Sequence, residues 1–273
     1  MGDLVVGSEA LATGRVTRQT LRTKYVKVHH NVYAPRGLTL DAVDRARAAW
    51  LWSGRKATLV GVSAAAMLGT RWLPADAPAE LARVRQSAPR GIVIHSGYIA
   101  DDERCMEGCI PCTTPERTAY DLGRRAIDPA ILRIDALLNA TRCTVAEVER
   151  IASRYPGARG IRNLRAVLPW VDGGAESPQE TRLRLLLMRS GLPRLVTQIQ
   201  VGNRRIDMGW PQWKVGVEYD GVQHWTDPAQ HAEDIERLEF LAAQGWTIVR
   251  VSARQLRYRP GLVVERVRTA LSQ

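Results

Sequence analysis

The chain has 273 residues, 45% of them apolar, and carries a net charge of +11 with a pI near 10.1. That length suggests two domains, or three small ones, each able to bury a core. No apolar run reaches the ~18 residues a membrane span needs. The opening Met1-Gly2-Asp3-Leu4-Val5-Val6 carries an acid and no long apolar stretch, so it does not read as a signal peptide. Cytoplasmic residence is expected, with no membrane partner, no small-molecule cofactor and the four cysteines reduced. The positive charge favours a polyanion, nucleic acid before anionic membrane. It is uneven: residues 1–171 hold 25 Lys+Arg against 16 Asp+Glu, and residues 172–273 hold 14 against 12. Arginine greatly outnumbers lysine, which suits bidentate phosphate contacts and also suits a GC-rich genome.

In chain order, Ser8 reads as the cap of a short helix over 9–13 that Gly14 breaks. A second helix is predicted over 17–23, exposing Arg18, Gln19 and Arg22, with Lys24 following. Residues 25–34 alternate like a strand pair turning at His30-Asn31. Helix, glycine turn, helix and hairpin together predict a winged helix-turn-helix, with Arg18, Gln19, Arg22 and Lys24 as DNA-binding residues. Helices are then predicted over 41–53 and 63–69, and strands within 80–99 through Leu81, Val84 and Ile92–Ser96. Pro115 and Pro129 read as helix starts, and a further helix spans 145–153. This middle region reads as α+β and shows no catalytic constellation.

Residues 171–178, Val-Asp-Gly-Gly-Ala-Glu-Ser-Pro, read as a linker. Beyond it the pattern predicts a helix from Pro178, strands at 196–201, 204–210 and 214–220, a helix over 229–244, a strand at 246–252 and a helix around 260–271. Asp207 and Glu218 lie on neighbouring strands that flank the hairpin-like Pro211-Gln212-Trp213-Lys214. Period-two alternation sets Glu218 and Asp220 on one face. Carboxylates gathered on one patch repel unless a cation joins them, and an all-oxygen set suits Mg²⁺ or Mn²⁺. A hard cation with open positions is the usual equipment for phosphodiester hydrolysis. The competing reading is a surface hairpin of solvated acids.

Asp207, then Glu218-x-Asp220-Gly221, then His224 resembles the PD-(D/E)xK nuclease superfamily, and within it the bacterial DUF559 branch related to very-short-patch-repair endonucleases. Ser177-Pro178-Gln179-Glu180, Asp234, Arg237 and Gly245-Trp246-Thr247-Ile248-Val249-Arg250 extend the likeness over about residues 176–260. The resemblance implies a restriction-endonuclease-like mixed sheet flanked by helices, with Asp207 and Glu218 as metal ligands. Glu180, Asp220 and His224 complete the catalytic set it implies. Asp220 stands where many relatives carry lysine, and His224 follows as a base or leaving-group acid. Glu180 also fits a capping box with Ser177, and Asp234 with Arg237 also fits a helical i, i+3 pair. Arg237 is a further candidate contact to DNA.

Cys105, Cys109 and Cys112 mimic the spacing of a radical-SAM cluster loop, but no strand–helix repeat supports one. With Cys143 alone elsewhere, ordinary reduced cysteines are expected. The N-terminal elements, Asn31-Val32-Tyr33-Ala34-Pro35-Arg36-Gly37 and residues 113–122 resemble AbiEi-type antitoxin regulators over roughly residues 5–140. That likeness implies DNA binding and repression.

The expected layout is an α+β and α/β multidomain chain: a winged helix-turn-helix over 1–60, an AbiEi-like α+β middle region over 61–170, and a PD-(D/E)xK-like domain over 176–273. The expected activity is Mg²⁺- or Mn²⁺-dependent DNA cleavage or nicking. An RNA substrate and a non-catalytic DNA-binding regulator with a degenerate nuclease fold stand as rivals.

Overall fold

The structure, a computed structural model, describes residues 4–82, 87–221 and 228–273. It divides into two compact units, Met1–Val171 and Asp172–Gln273. Both are mixtures of helix and sheet, as the sequence predicts.

The first unit begins with β1 (Val5–Val6), α1 (Gly7–Ala12), α2 (Arg18–Lys24), β2 (Tyr25–His29) and β3 (Val32–Pro35). The strands form an antiparallel sheet in the order β1-β3-β2. Asn31 makes the β2–β3 turn with φ of 61°, a conformation that asparagine tolerates better than most residues. The predicted Ser8 cap is not found, because α1 starts at Gly7, two residues before the predicted start, and Asn31 caps it from a distance. Gly7 N donates to Asn31 O (2.8 Å), Ser8 N to Asn31 Oδ1 (2.9 Å), and Asn31 Nδ2 to Ser8 Oγ (2.8 Å). Thr17 caps α2 by accepting from Thr20 N at 3.0 Å. At the other end Arg36 donates to the carbonyls of Thr23 and Arg22. Val5, Ala10 and Val16 form the small core here.

Next come α3 (Ala42–Trp52), β4 (Thr58–Leu59), α4 (Gly61–Met67), β5 (Ala79–Ala82), β6 (Ile92–His95), β7 (Arg104–Glu107), β8 (Ile110–Thr113), α5 (Pro115–Gly123), α6 (Ile127–Thr141), α7 (Val145–Arg154) and α8 (Ile161–Val167). Five strands pair in the order β6-β5-β4-β8-β7. Ala46, Ala49, Leu59, Ala64, Leu81 and Ile92 fill the core between this sheet and its helices. Asp41 and Asp44 make a reciprocal capping box on α3, and Thr114 with Pro115 opens α5. Pro129 does not begin α6. It sits inside the first turn, whose leading amides need no acceptor, and the helix starts at Ile127. Val84 lies outside the described residues. Cys105 and Cys112 face each other across the β7–β8 hairpin at 3.4 Å between sulfurs, and the cysteines are free.

The second unit comprises α9 (Pro178–Arg189), β9 (Val196–Val201), β10 (Arg204–Trp210), β11 (Val215–Asp220), α10 (Pro228–Ala243), β12 (Thr247–Ser252), α11 (Ala253–Tyr258) and α12 (Pro260–Leu271). The sheet runs β12-β11-β10-β9, with β11 and β12 parallel and the other pairs antiparallel. β10 and β11 are therefore its central strands. Leu183 and Leu187 of α9 and Val263 and Val267 of α12 pack with Met208, Trp210, Val215, Val217, Val249 and Val251. Leu241 of α10 packs with Ile199 and Ile206 in a second cluster. The presumed linker is partly packed instead: Val171 and Ala175 are buried, and Asp172 Oδ1 accepts from Gly174 N and Thr197 Oγ1, both at 2.8 Å. Among the described residues, no helix is long and apolar enough to cross a membrane.

Candidate active site

The β10–β11 ladder has the rungs Trp210↔Val215, Gly209↔Gly216 and Met208↔Val217, and then it stops. The next residues on the two strands are Asp207 and Glu218. Asp207 Oδ2 accepts from Tyr219 N at 2.9 Å, so a side chain satisfies an amide that the neighbouring backbone leaves open. β11 continues on its other edge, pairing Glu218 with Arg250 and Asp220 with Ser252 of β12. On the far side of β10 the register sets Gln198 of β9 opposite Asp207, between the pairs Ile206↔Ile199 and Met208↔Thr197. Gln198 has φ of 54°, and its buried Oε1 has no hydrogen-bond partner. A left-handed residue within a strand together with an orphaned buried acceptor marks this rung as strained.

Glu218 is buried, with 6% of its surface exposed. Its charge is met by Arg237 of α10, which donates Nη1 to Oε1 at 2.5 Å and Nη2 to Oε2 at 2.8 Å. The same Nη2 reaches Asp234 Oδ1 at 2.9 Å. Arg250 then bridges Asp234 Oδ2 (2.7 Å) and Asp220 Oδ2 (3.0 Å). Glu218, Arg237, Asp234, Arg250 and Asp220 thus form one chain of alternating charge. Carboxylates on both sides raise the Arg237 pKa, the hydrogen bond it donates to Glu218 most of all. Asp234 is held below the usual carboxylate range: burial pushes it up, and Arg237 and Arg250 outweigh that.

Asp207 has no such guanidinium partner. Burial pushes its carboxyl up to about 7, and Glu180 and Glu218 push the same way, against the Tyr219 amide and the more distant Arg237. Glu180 is close enough to act on Asp207 while serving as a cap. It accepts from Ser177 Oγ and Glu176 N, both at 2.8 Å, and Ser177 Oγ accepts from Glu180 N at 3.2 Å. The capping reading and the site reading of Glu180 therefore coexist.

The structure brings Asp207, Glu180 and Glu218 into one field and joins Asp220 to Glu218 through two arginines and Asp234. His224 lies outside the described residues. Arg18, Gln19, Arg22 and Lys24 are all exposed on α2, in the other unit. Arg237 engages Asp234 at i, i+3 as its spacing suggests, and its bond to Glu218 is a contact that sequence reasoning missed. Arg250 and Gln198 were missed as well. A lone arginine within the apolar run Ile248-Val249-Arg250-Val251 was the available signal for the first. Nothing in the local sequence marks the second.

Among the described residues no group of three or more His, Cys, Asp or Glu side chains is gathered tightly enough to hold a metal. Both oxygens of Glu218 already accept from Arg237, and both oxygens of Glu180 accept from the helix start. The Asp207 side is different: an acid short of positive charge stands opposite an orphaned amide oxygen. Oxygen donors in that state suit a hard divalent cation. Of the three acids, Asp207 is the one with room for such a cation, since Arg237 holds both oxygens of Glu218.

Residues 180–271 match the REase_MTES_1575 family model, and residues 56–170 match the AbiEi antitoxin C-terminal domain. Uncharacterized protein Rv2248 of Mycobacterium tuberculosis (strain ATCC 25618 / H37Rv) is 32% identical over 190 residues, covering 67% of this chain and 69% of that protein. Uncharacterized protein MT2308 of strain CDC 1551 / Oshkosh matches to the same extent. The chain belongs to the family of these two proteins. Its second unit carries a restriction-endonuclease-like domain that includes every element of the acidic cluster, and its first carries the AbiEi antitoxin domain.

Proposed function

We propose that the chain is a Mg²⁺- or Mn²⁺-dependent DNA endonuclease of the DUF559 type, delivered to DNA by a winged helix-turn-helix at its N-terminus. Residues 1–60 would form that DNA-binding region, residues 61–170 the AbiEi-like middle region and residues 176–273 the PD-(D/E)xK-like nuclease. The observation that carries the reading is Asp207: a half-buried acid that feels Glu180 and Glu218 and has no guanidinium partner among the described residues, in a restriction-endonuclease-like domain.

Asp207 and Glu218 would hold the metal, with Glu180 nearby. A bound divalent cation would polarise a phosphoryl oxygen and lower the pKa of a water molecule. Arg237 fixes the Glu218 carboxylate by its two-pronged contact and leaves the Asp207 side open. Asp220, oriented by Arg250, offers an acceptor for a proton where many relatives place a lysine. His224, four residues on, would assist proton transfer, a role resting on its sequence position alone. Arg18, Gln19, Arg22 and Lys24 present exposed donors on α2 for a DNA groove.

Supercoiled plasmid incubated with Mn²⁺ or Mg²⁺ tests the activity. Wild type should convert it to nicked or linear form, and Asp207→Asn should not, while keeping its circular dichroism spectrum. Wild type inert on duplex, nicked, mismatched and single-stranded DNA would sink the proposal.

A non-catalytic DNA-binding regulator is the second reading, and a specific contact favours it. Arg237 occupies both oxygens of Glu218, as it would in a scaffold that had stopped using metal. Calorimetry separates the two, because a dead scaffold binds Mn²⁺ no better than its Asp207→Asn variant.

A further inference from the structure

The first unit contains a cavity of about 580 Å³, bounded by β5, β6 and α5, by the start of α4 at Gly61 and by the turn at Arg159. This is within the size range of small-molecule sites. Its floor is Glu80, buried and fully engaged. Arg125 grips both carboxylate oxygens, with Nη1 at 2.8 Å from Oε1, and His95 Nε2 lies 2.8 Å from Oε2. Val62 N donates to Oε1 at 3.2 Å. Gly61 makes this possible, since a Cβ there would lie 2.5 Å from Glu80 Oε2 and 2.6 Å from Arg125 Nη2.

The second lining acid, Asp121, is engaged as well, by Arg117 Nε at 3.2 Å and Arg124 Nη2 at 2.7 Å. The lining therefore holds four guanidiniums, those of Arg117, Arg124, Arg125 and Arg159, against two carboxylates that are already bonded. Arg117 has a further acid in Glu103. Arg159 has none: it is exposed, and its side chain makes no ion pair among the described residues. Arg124 also donates Nη1 to Arg159 O at 3.1 Å, and its Nε is buried. Behind Arg125, Arg133 adds a cation that makes no ion pair among the described residues, and burial and Arg125 depress its pKa. The cavity is thus positively charged beyond what its own acids balance. The excess sits at its mouth, on planar forks that match phosphate oxygens.

We propose that this cavity binds a small phosphorylated molecule, with Arg159 as its principal phosphate contact and Arg124 as a charged neighbour at the same mouth. The Glu80–Arg125–His95 floor holds the fold of the pocket, Arg159 supplies the free donors, and Arg124 stands beside it, held by Asp121 and by the Arg159 carbonyl. No part of the acidic cluster in the second unit is needed.

The test uses the full chain, with pyrophosphate and ATP as probes in titration calorimetry. Saturable binding of at least one probe is expected at one site. Arg159→Ala and Arg124→Gln should each weaken it at least about tenfold, the loss of one charge-assisted contact. Arg159→Lys should recover part of the loss, because it keeps the charge and loses the fork. Arg159 has no intramolecular side-chain bond to lose, so Arg159→Ala should melt with the wild type. Failure of both probes to bind, or binding unchanged in both variants, would overturn the proposal. So would a short DNA duplex binding in an Arg159-dependent way while both small probes do not, since that would make the cavity mouth a nucleic-acid contact.

Discussion

Replacing Arg237 by alanine isolates the strongest contact in the acidic cluster. The side chain of Glu218 is 8% exposed and that of Arg237 22%, so water contributes little to either charge. Truncation leaves Glu218 buried beside Asp207 without its two-pronged partner. Breaking a buried pair from one side costs about 3 kcal/mol or more. In a unit of about 100 residues, 3 kcal/mol lowers the melting temperature by roughly 12–20 °C. Asp234 keeps Arg250 and adds little to the loss. Thermal unfolding at pH 7, followed by circular dichroism, gives the number, with Arg204→Ala as the control. The Arg204–Glu233 pair is largely exposed on its acid side, 24% and 69%, and its loss should cost less than about 1 kcal/mol. Combining Arg237→Met with Glu218→Gln removes both charges and should recover most of the stability. An Arg237→Ala variant within 1 kcal/mol of wild type, or a double variant as unstable as the single one, would refute the reasoning, by the same thermodynamic scale.

Glu80 makes stability depend on pH. Burial raises its pKa, but His95, Arg125 and Val62 N–H outweigh that and hold it at about 2 against an ordinary 4.5. A depressed acid contributes its full stabilisation above pH 4.5 and loses it as pH falls towards 2. Glu80→Gln should therefore cost about 3 kcal/mol at pH 7 and almost nothing near pH 2, read from urea melts across that range. Gly209→Ala would put a Cβ 2.2 Å from Val215 O, across the ladder where neither backbone can retreat. It should destabilise the second unit by about 3 kcal/mol or more, seen as loss of the near-ultraviolet signal of buried Trp210. Gln198→Gly should relieve the left-handed backbone and remove the orphaned oxygen, raising stability by about 1 kcal/mol while weakening Mn²⁺ binding in calorimetry. Unchanged Mn²⁺ affinity in that variant would exclude Gln198 from the cation site. Arg18→Ala and Arg22→Ala should each reduce the salt dependence of duplex binding by about one ion in a gel shift at several salt concentrations. An unchanged slope in both would remove α2 as the DNA contact.

Period and punctuation made the second unit legible. Its four strands and three of its helices follow from alternation, the Ser177-Pro178 start and Gly245, which has φ of 79°. Asp207 and Glu218 stood out because acids on apolar strands are costly and demand an explanation. What stayed hidden depends on tertiary contact. The Asn31 cap on α1 spans 23 residues of chain, and no local pattern announces it. Pro129 looked like a helix start because proline is tolerated throughout a first turn. The Arg237 grip on Glu218 needs α10 to lie over β11, and the sequence could supply only the competing i, i+3 pair. The charge excess over residues 1–171 was visible in bulk, but the gathering of four arginines around one cavity depended on the fold.

The ending of the β10–β11 ladder at Met208↔Val217 acts as a ruler. Three rungs separate the turn at 211–214 from the point where the strands part company, and Asp207 and Glu218 flank the first gap. Sliding one strand by two residues would keep every side chain on its own face, so the hydrophobic core would not object. It would nevertheless place Asp207 and Glu218 at different distances from the gap. Residues can be added to the turn without moving either acid along its strand, whereas any insertion between Met208 and Trp210 or between Val215 and Val217 resets the measure. Length variation among functional relatives should therefore collect at the turn and be absent from the rungs.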